Sequence, residues 1–214
     1  MGQLNLNWDK RNVYEQDVRI HLLLRGPGIA PGSTFDFPAT NVDLAPTILG
    51  MAGLEAPEGI DGKSFLPLLV DASQQLPASV QRHLSANGRD TVARDWRDHL
   101  FIEYYYVGLG SYCAAGPIEL PDNNFIAVRH LGGSAMAPDG QTARSTLGNL
   151  LYAEFQNGTD GNVDFAETHH FELFDLDADP WQLNNIYEAA NESLKDLLHQ
   201  QVRRWLHCKG GGCW

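Results

Sequence analysis

From His99 onward the chain alternates short apolar segments with longer turn-prone ones, and no other feature constrains the architecture as much. Segments 100–107, 124–131, 149–156 and 170–176 are rich in β-branched and aromatic residues. Stretches 108–123, 132–148 and 157–168 separate them. Short runs of this kind bounded by turn residues read as strands, and four in succession predict a small antiparallel sheet. Asp179-Pro180 then caps a short turn. Leu194, Leu197, Leu198, Val202, Trp205 and Leu206 recur at helical spacing, so a final helix is expected to cover one face of the sheet.

Residues 1–72 have a different character, that of a piece of an α/β layer. Arg19-Ile20-His21-Leu22-Leu23-Leu24-Arg25 is a short apolar run stopped by Gly26-Pro27-Gly28, the profile of a buried strand. Asp43 reads as a helix N-cap, with Pro46 in the first turn, where no intrahelical N–H is needed. Leu44, Ile48, Leu49 and Ala52 would share one face, and Gly53 is a natural stop. Residues 73–98 are polar and read as a linker with some helix. The expected layout is α/β: a portion of an α/β domain over 1–72, the linker, and a small α+β domain over 99–214.

Composition narrows the functional classes. Fifteen Lys and Arg against 27 Asp and Glu give a formal charge of −12, which repels nucleic acid and anionic membrane. No run approaches the roughly 18 apolar residues of a membrane-spanning helix. Of three cysteines, Cys208 and Cys213 bracket the loop C-K-G-G-G-C. Spacing alone leaves both a disulfide and two free thiols open. Asn157-Gly158-Thr159 and Asn191-Glu192-Ser193 make Asn157 and Asn191 candidate glycosylation sites.

Several motifs fail on counting. Gly62-Lys63-Ser64 ends like a phosphate-binding loop, but Pro57 stands where that loop needs its first Gly. Asp175, Asp177 and Asp179 mimic the first ligands of a calcium loop, yet Pro180 replaces the required Gly and Ile186 the closing Glu. Gly132-Gly133-Ser134-Ala135 lacks the closing Gly of a nucleophile elbow, having Met136 there. His169 and His170 would point to opposite faces of a regular strand, so they cannot share one metal ion from it.

One constellation holds together. The run D-K-R-N-V-Y-E-Q-D-V-R-I-H-L-L-L-R-G-P-G over 9–28 is followed by Asn41-Val42-Asp43-Leu44-Ala45-Pro46-Thr47 and by Asp61-Gly62-Lys63-Ser64-Phe65-Leu66-Pro67. Later comes Phe171-Glu172-Leu173-Phe174-Asp175-Leu176-Asp177, with Asn185-Ile186. In this order the chain resembles the sulfatase family, within the alkaline-phosphatase-like superfamily. The resemblance implies hydrolysis of sulfate esters on sulfated carbohydrate, by a formylglycine nucleophile and a calcium ion. Lys10 matches the family Lys that contacts the sulfate, and an ammonium with three donors suits bridging two oxygen groups. The Cys208 and Cys213 pair fits a subgroup acting on sulfated sugars. A secreted or lysosomal parent protein is implied.

What is missing matters as much. The formylglycine signature is Cys or Ser, any residue, Pro, any residue, Arg. Cys113 is followed by Ala114-Ala115 and Cys208 by Lys209-Gly210, and no Ser fits either. The family's acidic calcium ligands are not found. The chain is therefore expected to be the C-terminal portion of a sulfatase and inactive on its own. The alternatives are a non-catalytic binding or structural module and a fragment of a related phosphodiesterase.

Overall fold

The computed structural model describes residues 11–70, 76–86, 88–106, 123–132, 146–156 and 163–213. Lys10, Cys113 and Asn157 lie outside them. The elements in chain order are α1 (Glu15–Val18), a 3-10 turn (Asn41–Asp43), α2 (Leu44–Met51), α3 (Leu66–Leu69), α4 (Ala78–Ala86) and α5 (Arg89–Arg94). Strands β1 (His99–Tyr104), β2 (Phe125–His130), β3 (Leu150–Gln156) and β4 (Thr168–Asp175) follow, then α6 (Glu192–His207) and a 3-10 turn (Gly210–Cys213). The chain divides into two compact units. One comprises residues 11–21, 101–106, 123–130, 147–156 and 163–206; the other comprises 22–70, 76–86, 88–100, 131–132, 146 and 207–213.

The first unit carries the expected four-stranded sheet, in the order β1-β2-β3-β4. Strands β2 and β3 pair antiparallel with Ala127 opposite Ala153, and β3 and β4 with Tyr152 opposite Leu173. Because successive side chains alternate between faces, β2 and β3 feed two cores at once. On one face Ile126, Val128, Leu150, Tyr152 and Leu173 pack with Leu198 and Val202 of α6. On the other, Phe125, Ala127, Leu151, Ala153 and Phe174 pack with Val13, which is 1% exposed. A sheet buried on both faces explains why these strands read as continuous apolar runs.

One charge is sealed beneath α6. Glu154 is fully buried and accepts from Tyr152 Oη at 2.9 Å, His199 Nδ1 at 2.7 Å and Arg203 Nη2 at 2.8 Å. Tyr152 and Glu154 are two apart on β3, so they share a face. His199 and Arg203 are four apart on α6, so they share one too. The pattern fastens helix to sheet with hydrogen-bonded charge, where bare burial of a carboxylate would be prohibitive.

In the second unit, residues 73–98 carry α4 and α5. Leu76, Val80 and Leu84 form one cluster with Leu66 and Val70, and Ala93 and Trp96 another with Phe65 and Leu68. Three expectations for residues 19–54 are corrected. Residues 19–25 are not a strand, and Leu23 is 93% exposed. An extended run forms a strand only beside another strand, and none among the described residues pairs with it. Helix α2 buries Pro46, Thr47 and Gly50, leaving Ile48 of the expected apolar face 62% exposed.

Asp43 does not cap α2 with its side chain. Its carboxylate turns back to accept from the Thr40 and Lys63 backbone N–H groups, both at 2.8 Å, and pairs with buried Arg97. A buried carboxylate goes where the most donors converge, and three meet there. Gly53 does stop the helix: its φ of +72° is the left-handed conformation, and a Cβ there would meet Ser79 at 2.3 Å.

Candidate functional site in the sheet unit

A cleft of about 300 Å³ opens in the sheet unit between the segment 12–14 and the start of β4. Its first wall follows directly on Lys10 in the chain. Arg11 takes a positive φ of 56°, and its carbonyl accepts from Asn123 Nδ2 at 2.9 Å. Positive φ in a residue with a Cβ is sparsely populated, so surrounding contacts must hold it. Those contacts are present. Val13 is plugged into the core, Asn12 N–H donates to Asp17, and Tyr14 N–H donates to Asn12 Oδ1. Glu15 receives Arg129 Nε at 2.7 Å through its carboxylate, while its N–H donates to Gln182 at 2.7 Å.

The second wall comes from β4. Phe155 of β3 lies opposite His170, but Gln156 lies opposite Thr168. His169 is therefore an extra residue, a β-bulge, and the simple alternation of faces fails at this point. Both His169 and His170 line the cleft, as does Glu172. The sequence expectation that the two imidazoles face apart holds only for a regular strand.

Chemistry concentrates on Glu172. One oxygen accepts from Tyr14 Oη at 3.3 Å and lies 3.4 Å from His170 Nε2. The other, Oε2, is buried with no hydrogen-bond partner among the described residues, and Asn12 Nδ2 is buried in the same condition. Burial raises the Glu172 pKa above the ordinary carboxylate value, with His170 and Tyr14 working against it. The Tyr14 hydroxyl is pushed up to about 12, first by burial and then by the charge of Glu172. Phe155 supplies an apolar flank, its ring centroid 5.2 Å from that of His170.

The remaining candidates fall as follows. Cys208 and Cys213 are bonded in a disulfide, with Cα atoms 5.3 Å apart. The loop they close donates Gly210 N–H to Asp61 at 2.6 Å. Asn191 is exposed, and its Oδ1 caps α6 by accepting from Leu194 N–H at 2.8 Å. The acidic run 175–179 does not fit calcium. Asp175 Oδ1 accepts from the N–H groups of Asp177 and Ala178, Asp177 from Asn149 Nδ2, and Asp179 from Asn184 N–H. These carboxylates are spent on tying the turn after β4. Lys10, the one catalytic candidate from sequence, lies outside the described residues. The cleft itself was not legible: Tyr14 and Glu172 are 158 residues apart. The available signal was an acidic residue inside the apolar alternation of Phe171, Leu173 and Phe174.

Residues 5–85 match the family described as N-sulphoglucosamine sulphohydrolase, C-terminal. Over 99% of its length the chain is 29% identical to N-acetylglucosamine-6-sulfatase of Capra hircus. The chain is similar to sulfatases along almost its whole length. It is also 30% identical, over 91% of its length, to N-acetylglucosamine-6-O-sulfatase of Bacteroides thetaiotaomicron. The chain spans about a third of its mammalian relative, 34%, and 26% of the bacterial one. The solved structure of BT4656 in complex with its substrate D-glucosamine-2-N,6-O-disulfate is similar at 25% identity and a TM-score of 0.48, covering 82% of this chain and 25% of that one. An extracellular sulfatase of Drosophila melanogaster is 43% identical over 35% of the chain, which is 7% of that relative. No helix among the described residues is long and apolar enough to cross a membrane.

Proposed function

We propose that this chain is the C-terminal portion of a sulfatase that hydrolyses 6-sulfate esters on N-acetylglucosamine residues of glycans. The observation that supports this reading is the near-complete alignment with N-acetylglucosamine-6-sulfatases. Within that enzyme Lys10 neutralises charge on the sulfate, the electrostatic work an anionic transition state demands. Arg129, Glu15 and Val13 anchor the segment that follows Lys10. The nucleophile and the calcium ligands come from residues outside this chain. Calcium, when bound, polarises the sulfate. The protein works outside the cytoplasm, secreted or in the lysosome, with Asn157 and Asn191 as candidate glycosylation sites.

The test has two arms. The purified chain, incubated with N-acetylglucosamine 6-sulfate and with a chromogenic aryl sulfate, releases no sulfate; turnover above blank overturns the division of labour. A polypeptide in which this chain follows a segment bearing Cys or Ser-x-Pro-x-Arg releases sulfate from N-acetylglucosamine 6-sulfate, and Lys10→Ala lowers kcat/KM by about 100-fold or more. Hydrolysis of phosphate diesters in preference to sulfate esters would replace this reading with the phosphodiesterase one.

A further inference from the structure

We propose that Asn191 carries an N-linked glycan on the same amide that caps α6, its oxygen holding the helix and its nitrogen holding the sugar. The inference rests on the extracytoplasmic location proposed above.

The triplet Asn191-Glu192-Ser193 has the acceptor pattern, and that pattern needs a surface position. Such triplets arise often by chance, so the structure has to add what the pattern lacks. All three residues are exposed. The backbone beneath them is held in place. Ala190 and Leu194 pack against the core of the sheet unit, and the Asn191 carbonyl accepts from Leu194 N–H at 3.1 Å and Lys195 N–H at 3.2 Å. The Glu192 carboxylate is drawn along the helix to Lys195 Nζ at 3.0 Å.

The side chain of Asn191 divides its two ends between two duties. Oδ1 accepts from Leu194 N–H at 2.8 Å, which satisfies a donor that the helix start leaves open. Oδ1 and Nδ2 branch from one planar carbon, so the nitrogen diverges from the capping bond. Capping alone does not select Asn. Asp and Ser cap as well, and Asp would gain further from the positive end of the helix dipole. The amide nitrogen is what only Asn brings, and it is the atom an N-linked glycan needs.

The modification is compatible with the cap. The bond that forms joins Nδ2 to C1 of the first sugar. The bond that breaks joins C1 to a polyprenyl diphosphate carrier, which leaves with the electron pair, while one Nδ2 proton passes to a base. The product is still an amide, with one N–H and the same carbonyl oxygen, so Oδ1 keeps its capacity to accept from Leu194.

The 214-residue chain, produced behind a cleavable secretion signal in cultured animal cells, tests this. Medium and cell extract are mapped together, so retained chains are read as well. Peptide-N-glycosidase in heavy-oxygen water turns a glycosylated Asn into labelled Asp, which mass spectrometry locates. Asn191 is expected to carry the label in most molecules, and to lose it in Ser193→Ala. An unlabelled Asn191, or a label that survives Ser193→Ala, overturns the proposal. A second arm reads the cap by urea unfolding of unglycosylated chain made in bacteria. Asn191→Ala should lower the folding equilibrium constant about fivefold, the equivalent of about 1 kcal/mol. Asn191→Asp, which keeps the acceptor, and Ser193→Ala should not lower it. Equal loss in the Ala and Asp variants overturns the capping duty. Should the Ala variant fail to fold, the glycosylated parent decides: a chain less stable with its glycan than without shows that sugar and cap compete, which overturns the shared amide. The secretion signal is supplied by the host cells and no arm reads sulfate release, so this inference and the sulfatase reading fail separately.

Discussion

The sheet unit and the stretch 22–54 of the second unit are both rich in apolar residues, yet they use them in opposite ways. In the sheet unit Ile126, Ala127, Val128, Leu151 and Leu173 are all essentially inaccessible, because each strand face meets its own apolar layer. In the second unit Leu22, Leu23, Ile48, Met51 and Leu54 are all exposed. Hydrophobic sequence predicts burial only where a complementary layer exists to receive it. Helix α2 is apolar almost all round, which is the composition of a helix enclosed on every side. Among the described residues both sheet faces meet an apolar layer, whereas in the stretch 22–54 only residues such as Leu24, Phe35, Phe37 and Leu44 do.

The sharpest way to break the contrast is to attack the charge beneath α6. Glu154→Ala leaves Arg203 without its buried counter-ion and should destabilise the sheet unit by about 3–5 kcal/mol, read by urea unfolding. An equally stable variant would show that the helix is held by its apolar face alone. Next in size is Cys208→Ser. Opening a loop this short should cost about 2 kcal/mol, in the second unit, with amide exchange in β2 and β3 unchanged.

Glu172→Gln gives a smaller, pH-dependent effect. The folded carboxyl has a raised pKa, so its contribution to stability is full below the ordinary carboxylate value and is lost as pH rises through the raised one. At neutral pH the ionised group works against folding. The Gln variant should therefore melt above the parent near neutrality, with the gain shrinking under acid conditions; a gain that grows with acidity would reverse the assignment. Smallest is Leu23→Ser, at an exposed position. It should change stability by less than about 0.5 kcal/mol while reducing self-association in sedimentation. A large loss of stability would mean that Leu23 is buried in solution.

How far the residues alone reach is clearest at particular places. The four strands were legible because alternating apolar residues between turn-prone stretches leave few other solutions, and the observed ends differ by only a few residues. The last helix was legible from its 3.6-residue period. Asp43 was placed correctly at the start of α2 but given the wrong duty, since besides the local Thr40 N–H two of its partners, Lys63 N–H and Arg97, are 20 and 54 residues away. Local pattern carries no information about such partners.

The same boundary runs through the site. Sequence by itself determined the resemblance to sulfatases and the order of strands and helix, because these are matters of local pattern and motif order. Tertiary structure decided the rest. It bulged β4 at His169 so that two neighbouring imidazoles face one cleft. It also brought Tyr14 to Glu172 across 158 residues, and it left Asn12 Nδ2 and Glu172 Oε2 buried without partners among the described residues. Burial and register are properties of the packed chain, and no single segment carries them.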